Sequence, residues 1–106
     1  MSVGLADGNV RGLWIIKVTI DPASVATITT AEQTFTVPGL RPTDMVYVSK
    51  PALSAGLGVA GARVSANDTL AITFVNPTAG AIDAASEVWS VLVLRPDGPV
   101  AGAVSA

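Results

Sequence analysis

Leu70, Ile72 and Phe74 alternate with Thr69, Ala71, Thr73 and Val75 in the second half of the chain. A period of two sends the first set to one face of a β-strand and the second set to the other. Asn76-Pro77 then stops the strand, because proline cannot donate to a ladder. The same grammar recurs along the sequence. Residues 13–20 predict a strand with Trp14, Ile16, Val18 and Ile20 on one face and Leu13, Ile15, Lys17 and Thr19 on the other. Residues 33–37 place Phe35 and Val37 inward and Thr34 and Thr36 outward. Residues 44–49 offer Val46 and Val48 as an inner face, with Met45 and Tyr47 opposite. Residues 25–29 read as a short edge strand and residues 62–65 as a further strand. Residues 87–95 form the last strand, where Trp89, Val91 and Val93 compete with Val88, Leu92 and Leu94 for the core. Alternation alone does not choose between those two faces.

Turn chemistry separates these segments. Asp21-Pro22, Lys50-Pro51, Asn67-Asp68 and Pro96-Asp-Gly-Pro99 are turn or stop signals, and Pro38-Gly39 has the residues of a type II turn. Roughly six to eight short strands with regular turns predict an all-β fold, an antiparallel β-sandwich or jelly-roll-like domain. Its expected core is Trp14, Ile16, Val18, Phe35, Val37, Val46, Val48, Leu70, Ile72 and Phe74. The domain is expected over residues 13–95, between an N-terminal arm of residues 1–12 and a C-terminal arm of residues 96–106. Both arms consist mainly of small residues. Ordering them costs on the order of 1–2 kcal/mol of backbone entropy per residue, so a neighbouring subunit is expected to hold them.

Composition narrows the function. Of 106 residues, 50% are apolar and 13% are charged, against about 25% charged in an average globular domain. So low a charge points to a surface largely covered by other protein. The net charge of −2 leaves no basic footprint for nucleic acid. No apolar run approaches the roughly 20 residues that span a bilayer as a helix, and residues 1–8 lack a basic, then apolar, leader pattern. The expectation is a soluble protein made in the cytosol. With no cysteine and no histidine, disulfides, thiolate metal sites and a histidine-based triad are excluded.

Two motifs have chemical readings and simpler structural ones. Gly56-Leu-Gly-Val-Ala-Gly61 matches the dinucleotide fingerprint letter for letter, but the next strand leaves no room for the helix that the fingerprint requires. It reads instead as a glycine-rich connection. The acids, Asp7, Asp21, Glu32, Asp44, Asp68, Asp83, Glu87 and Asp97, fall at strand ends and turns. Nothing in their spacing gathers a carboxylate pair or a calcium loop. No enzymatic activity and no cofactor are expected. Arg41, Lys50, Arg63 and Arg95 are scattered, which suggests mostly solvated side chains with one or two pairing to a neighbour's acids.

The runs Ala31-Glu-Gln-Thr-Phe-Thr-Val37, Asp44-Met-Val-Tyr-Val48, Gly58-Val-Ala-Gly-Ala-Arg-Val-Ser65 and Asp68-Thr-Leu-Ala-Ile-Thr-Phe-Val-Asn-Pro-Thr-Ala-Gly80 together resemble the small β-sandwich decoration or cement proteins of tailed-bacteriophage heads. The resemblance covers residues 21–95 and lies in texture and segment order. It implies a virion protein, made in the host cytoplasm, on the outer surface of the capsid. Its partner would be the major capsid protein, and it would form a homo-oligomer, a trimer before a dimer, with no nucleic-acid or membrane partner. The expected contacts are Val3, Leu5, Val10, Arg11, Val100 and Val104 of the arms, with Met45 and Tyr47 of the domain. The alternative is a carbohydrate-binding tail or head-fibre adhesin module, which would need Trp14, Tyr47 or Trp89 exposed in a groove.

Overall fold

A computed structural model describes residues 10–52 and 54–97. Six strands are formed: β1 (Val10–Ile20), β2 (Thr29–Thr36), β3 (Met45–Ser49), β4 (Gly58–Ala66), β5 (Thr69–Asn76) and β6 (Glu87–Pro96). They make two three-stranded antiparallel sheets, β1-β6-β3 and β2-β5-β4. The sheets face each other as a β-sandwich, and the chain crosses between them at every connection except the β4–β5 hairpin.

The core lies between the central strands. Leu70, Ile72 and Phe74 of β5 and Trp89, Val91 and Val93 of β6 are all fully buried. Phe74 and Trp89 meet edge-to-face, with ring centroids 6.1 Å apart at 77°, the geometry that aromatic quadrupoles favour. Val37 and Val46 are buried as the alternation predicts, while Trp14, Ile16, Val18, Phe35 and Val48 pack against the core and stay partly exposed. The burial of Trp89, Val91 and Val93 settles the face that the sequence left open. Ile20, Val25, Leu40 and Val64 complete the core.

Three boundaries differ from the sequence reading. β4 starts at Gly58, four residues before the expected strand. Gly58 and Gly61 have no side chain to show alternation, and the ladder is irregular between Val59 and Gly61. At Gly58 a Cβ would come within 3.0 Å of Val75 Cγ1, so the bare backbone allows the close approach. Residues 25–28 form no strand, only the single bridge Val25↔Ile82. Ile28 has φ 46°, a left-handed conformation that interrupts extended chain. Val10, Arg11 and Gly12, expected in the arm, belong to β1, where Val10 pairs with Pro96. Val3, Leu5, Val100 and Val104 lie outside the described residues.

Two loops are held by side chains whose role alternation does not reveal. Asn76 is fully buried. Its Nδ2 donates to Val25 O (3.0 Å) and Gly80 O (2.9 Å), and its Oδ1 accepts from Thr78 N (3.0 Å) and Thr78 Oγ1 (2.7 Å). One amide thus fixes the 77–82 loop to the 21–28 segment. Asn76→Ala would leave those groups without their partner in a dry site, and a loss of about 2 kcal/mol is expected in urea melts. Asp68, at φ 61°, joins two turns: its carboxylate accepts from Gly39 N (2.7 Å) and its backbone bonds Val37 and Leu40. Gly39 itself has φ 98°, the position where a type II turn requires glycine.

Candidate functional site

The ladder register of the first sheet places its outward side chains in rows. Leu13, Leu94 and Met45 form one row, and Ile15, Leu92 and Tyr47 the next. A polar row of Lys17, Ser90 and Ser49 follows, in which Lys17 Nζ donates to Ser90 Oγ at 2.5 Å. Ile15 is 64% exposed, Tyr47 60% and Met45 52%. Leu13 and Leu92 are exposed as well, and Val88 lies beyond the polar row. Ile15, Tyr47 and Leu92 also line a shallow depression with Val48, Ser49 and Ser90.

The second sheet shows that this is not a general property of the molecule. Its outward rows are Thr30, Val75 and Gly58; Glu32, Thr73 and Gly61; Thr34, Ala71 and Arg63. Arg63 reaches across the central strand and binds Glu32 through Nε and Nη2, both at 2.9 Å. The pair covers Ala71, which is fully buried although it points outward. The Arg63 hydrogen bonds hold the Glu32 carboxyl below its ordinary range, partly opposed by desolvation. One sheet therefore presents mainly threonines and an ion pair, with Val75 as its one large apolar outward residue in these rows, and the other presents large apolar side chains. Strand spacing and rise make that apolar patch a few hundred Å², comparable to the largest apolar patch on a typical soluble monomer, which is often functional.

Met45 and Tyr47, expected as contacts, stand in this patch. Leu13, Ile15 and Leu92 join them and were not among the expected contacts. A signal for two of them was present, since Leu13 and Ile15 occupy the face opposite Trp14 and Ile16 where a solvated strand would carry polar residues. Arg11 is exposed at the start of β1 and lies 3.8 Å from Asp97. Val10 is half-buried beside it.

The cations expected to be solvated, or to pair with a neighbour, are mostly paired within the chain. Lys50 binds Glu87, joining the end of β3 to the start of β6. Arg95 grips Asp44 through Nε (2.8 Å) and Nη2 (2.7 Å), donates to Gly39 O (2.7 Å), and lies 4.9 Å over the Trp14 ring. Asp44 also accepts from Arg41 N (3.0 Å) and is buried rather than a solvated turn residue. The hydrogen bonds from Arg95 hold its carboxyl below the usual value; desolvation opposes this and the Arg41 N–H assists it. These carboxylates are occupied in holding strands together. Among the described residues, no three His, Cys, Asp or Glu side chains are gathered to hold a metal ion. Compared with known protein families, curated proteins and solved structures, the chain matches none.

Proposed function

We propose that this protein is a structural component of a bacteriophage virion, a decoration or cement module that docks on the outer surface of the major capsid protein shell. The observation that carries the reading is the apolar outer face of β1-β6-β3, set against the polar outer face of the other sheet. The direction toward a phage head comes from the resemblance of residues 21–95. A patch of a few hundred Å² falls short of the roughly 800 Å² per partner in a stable interface. One copy would bind weakly. A shell offers many equivalent sites, and linked copies multiply a modest contact into firm attachment. Such a module needs a rigid scaffold and no reactive group.

The adhesin reading has less support. Trp89 is fully buried and the Trp14 ring lies under Arg95, which leaves Tyr47 as the exposed aromatic of the three named.

Tyr47→Glu places a charge within the patch. Its occupancy on purified heads is expected to fall at least tenfold, as for an aromatic interface anchor. Stability should stay within about 0.5 kcal/mol of the parent, because the side chain is exposed. Occupancy would be read by electron microscopy and gel densitometry, and stability by thermal melting. Unchanged occupancy would reject the proposed docking face.

A further inference from the structure

We propose that the outer edge of β1, unpaired among the described residues, pairs antiparallel with β1 of a second copy, in a register centred on Ile16. The two sheets have four edge strands, and three of them are blunted. β3 has five residues, lies between Pro42 and Pro51, and borders β4 across the sandwich. β4 carries two register irregularities. β2 has the 21–25 segment drawn against it, because Gln33 Oε1 accepts from Ala23 N (2.8 Å) and Gln33 Nε2 donates to Ala23 O (2.9 Å). From Leu13 to Ile20, β1 has none of these devices. It is the longest strand, with 11 residues, no proline and an irregularity only at its start. Among the described residues it pairs with β6 alone. A long regular edge with unpaired backbone groups is a template for another strand.

A second observation points to the same edge. Trp14, Ile16 and Val18 face inward but remain partly exposed, while their β6 partners Val93, Val91 and Trp89 are fully buried. Among the described residues no strand covers this side of the sandwich. A further strand beside β1 would put Val18 of the second copy next to Trp14 and cover the exposed flank.

The charges, together with the length of strand overlapped, select the occupant and the register. A two-fold axis normal to the sheet keeps both outer faces on one side and pairs residues of equal parity. Centred on Trp14, that arrangement sets Arg11 against Lys17 of the other copy. Centred on Lys17, it sets two lysines together. Centred on Ile15, it leaves every charge without an opposite. Centred on Ile16, it sets Leu13 opposite Thr19 and Ile15 opposite Lys17, and brings Arg11 of each copy to Asp21 of the other, one residue past the end of β1. Both Arg11 and Asp21 are exposed, and the 3.8 Å contact of Arg11 with Asp97 is a weak competitor. The strand is therefore complementary to itself. The product is a six-stranded sheet that doubles the apolar outer face, and its symmetry is two-fold, not the three-fold that the resemblance implied.

The test uses the full chain in solution and does not depend on the virion reading. Sedimentation from micromolar to millimolar concentration should show a monomer–dimer equilibrium. Arg11→Asp or Asp21→Arg alone should weaken the dimer about tenfold, since each change converts two attractions into two repulsions. The double swap should restore it. The chain has no cysteine, so Leu13→Cys combined with Thr19→Cys reports register directly. In one copy these positions are about 20 Å apart along the strand, so a disulfide between them joins two copies. Efficient oxidation to a covalent dimer, with Leu13→Cys plus Lys17→Cys reacting poorly, is the expected result. A monomer at all concentrations, a trimer, or a dimer indifferent to the charge changes and to the 13/19 pair would overturn the proposal.

Discussion

Phe74→Ala is expected to cost about 3–5 kcal/mol of folding stability, the range for truncating a fully buried aromatic. Phe74 is wholly shielded from water and sits on the central strand of its sheet. Its ring meets Trp89, from the central strand of the opposite sheet, edge-to-face. Truncation removes apolar burial, leaves a cavity that neighbouring strands cannot close without losing their ladders, and deletes the aromatic pair. For a domain of about 100 residues, each kcal/mol moves Tm by roughly 4–8 °C, so the drop should exceed about 12 °C. Thr34→Ala, on the outer face of the adjacent strand, should stay within about 0.5 kcal/mol. If the two variants melted alike, the sheets would not pack through this contact.

Asp44→Ala is expected to cost about 3 kcal/mol, the lower end for breaking a buried ion pair. The Asp44 side chain is fully covered, whereas 14% of the Arg95 side chain reaches solvent. Removing the carboxylate takes two hydrogen bonds from Arg95 and one from Arg41 N. Arg95 keeps the Gly39 carbonyl and the Trp14 ring, which is why the loss stays below the worst case. The pair is also sensitive to acid. Arg95 lowers the folded-state pKa of Asp44 below the unfolded value of about 3.9. At acid pH the unfolded chain binds the extra proton, so stability rises with pH. The contribution is complete above the unfolded value and is lost as pH falls through the lower, folded one. Urea melts between neutral pH and pH 2 should show the gap between the parent and Asp44→Asn shrinking below about pH 4. A gap that stayed constant through that range would mean the carboxylate is not held in its charged form.

Fold class, most of the strands and most of their faces are legible in the local residue pattern. Period-two alternation is local, and it is unambiguous where one set is large and apolar and the other polar or small, as in residues 33–37 and 68–76. Proline, glycine and Asx pairs marked the turns for equally local reasons. Features that depend on what lies opposite a residue are set by how the strands pack. Residues 87–95 are apolar on both faces, and only contact with Phe74 shows why Trp89 turns inward and Leu92 outward. Gly58 and Gly61 carry no alternation, so their strand became visible only through its pairing with β5. Asn76, Asp44 and Arg95 look like ordinary turn or surface residues until chain folding brings partners 51 positions away within hydrogen-bond reach. The apolar face and the outer β1 edge have the same origin. Leu13, Ile15, Met45, Tyr47 and Leu92 lie far apart in sequence, and the ladder register of three strands assembles them into one surface.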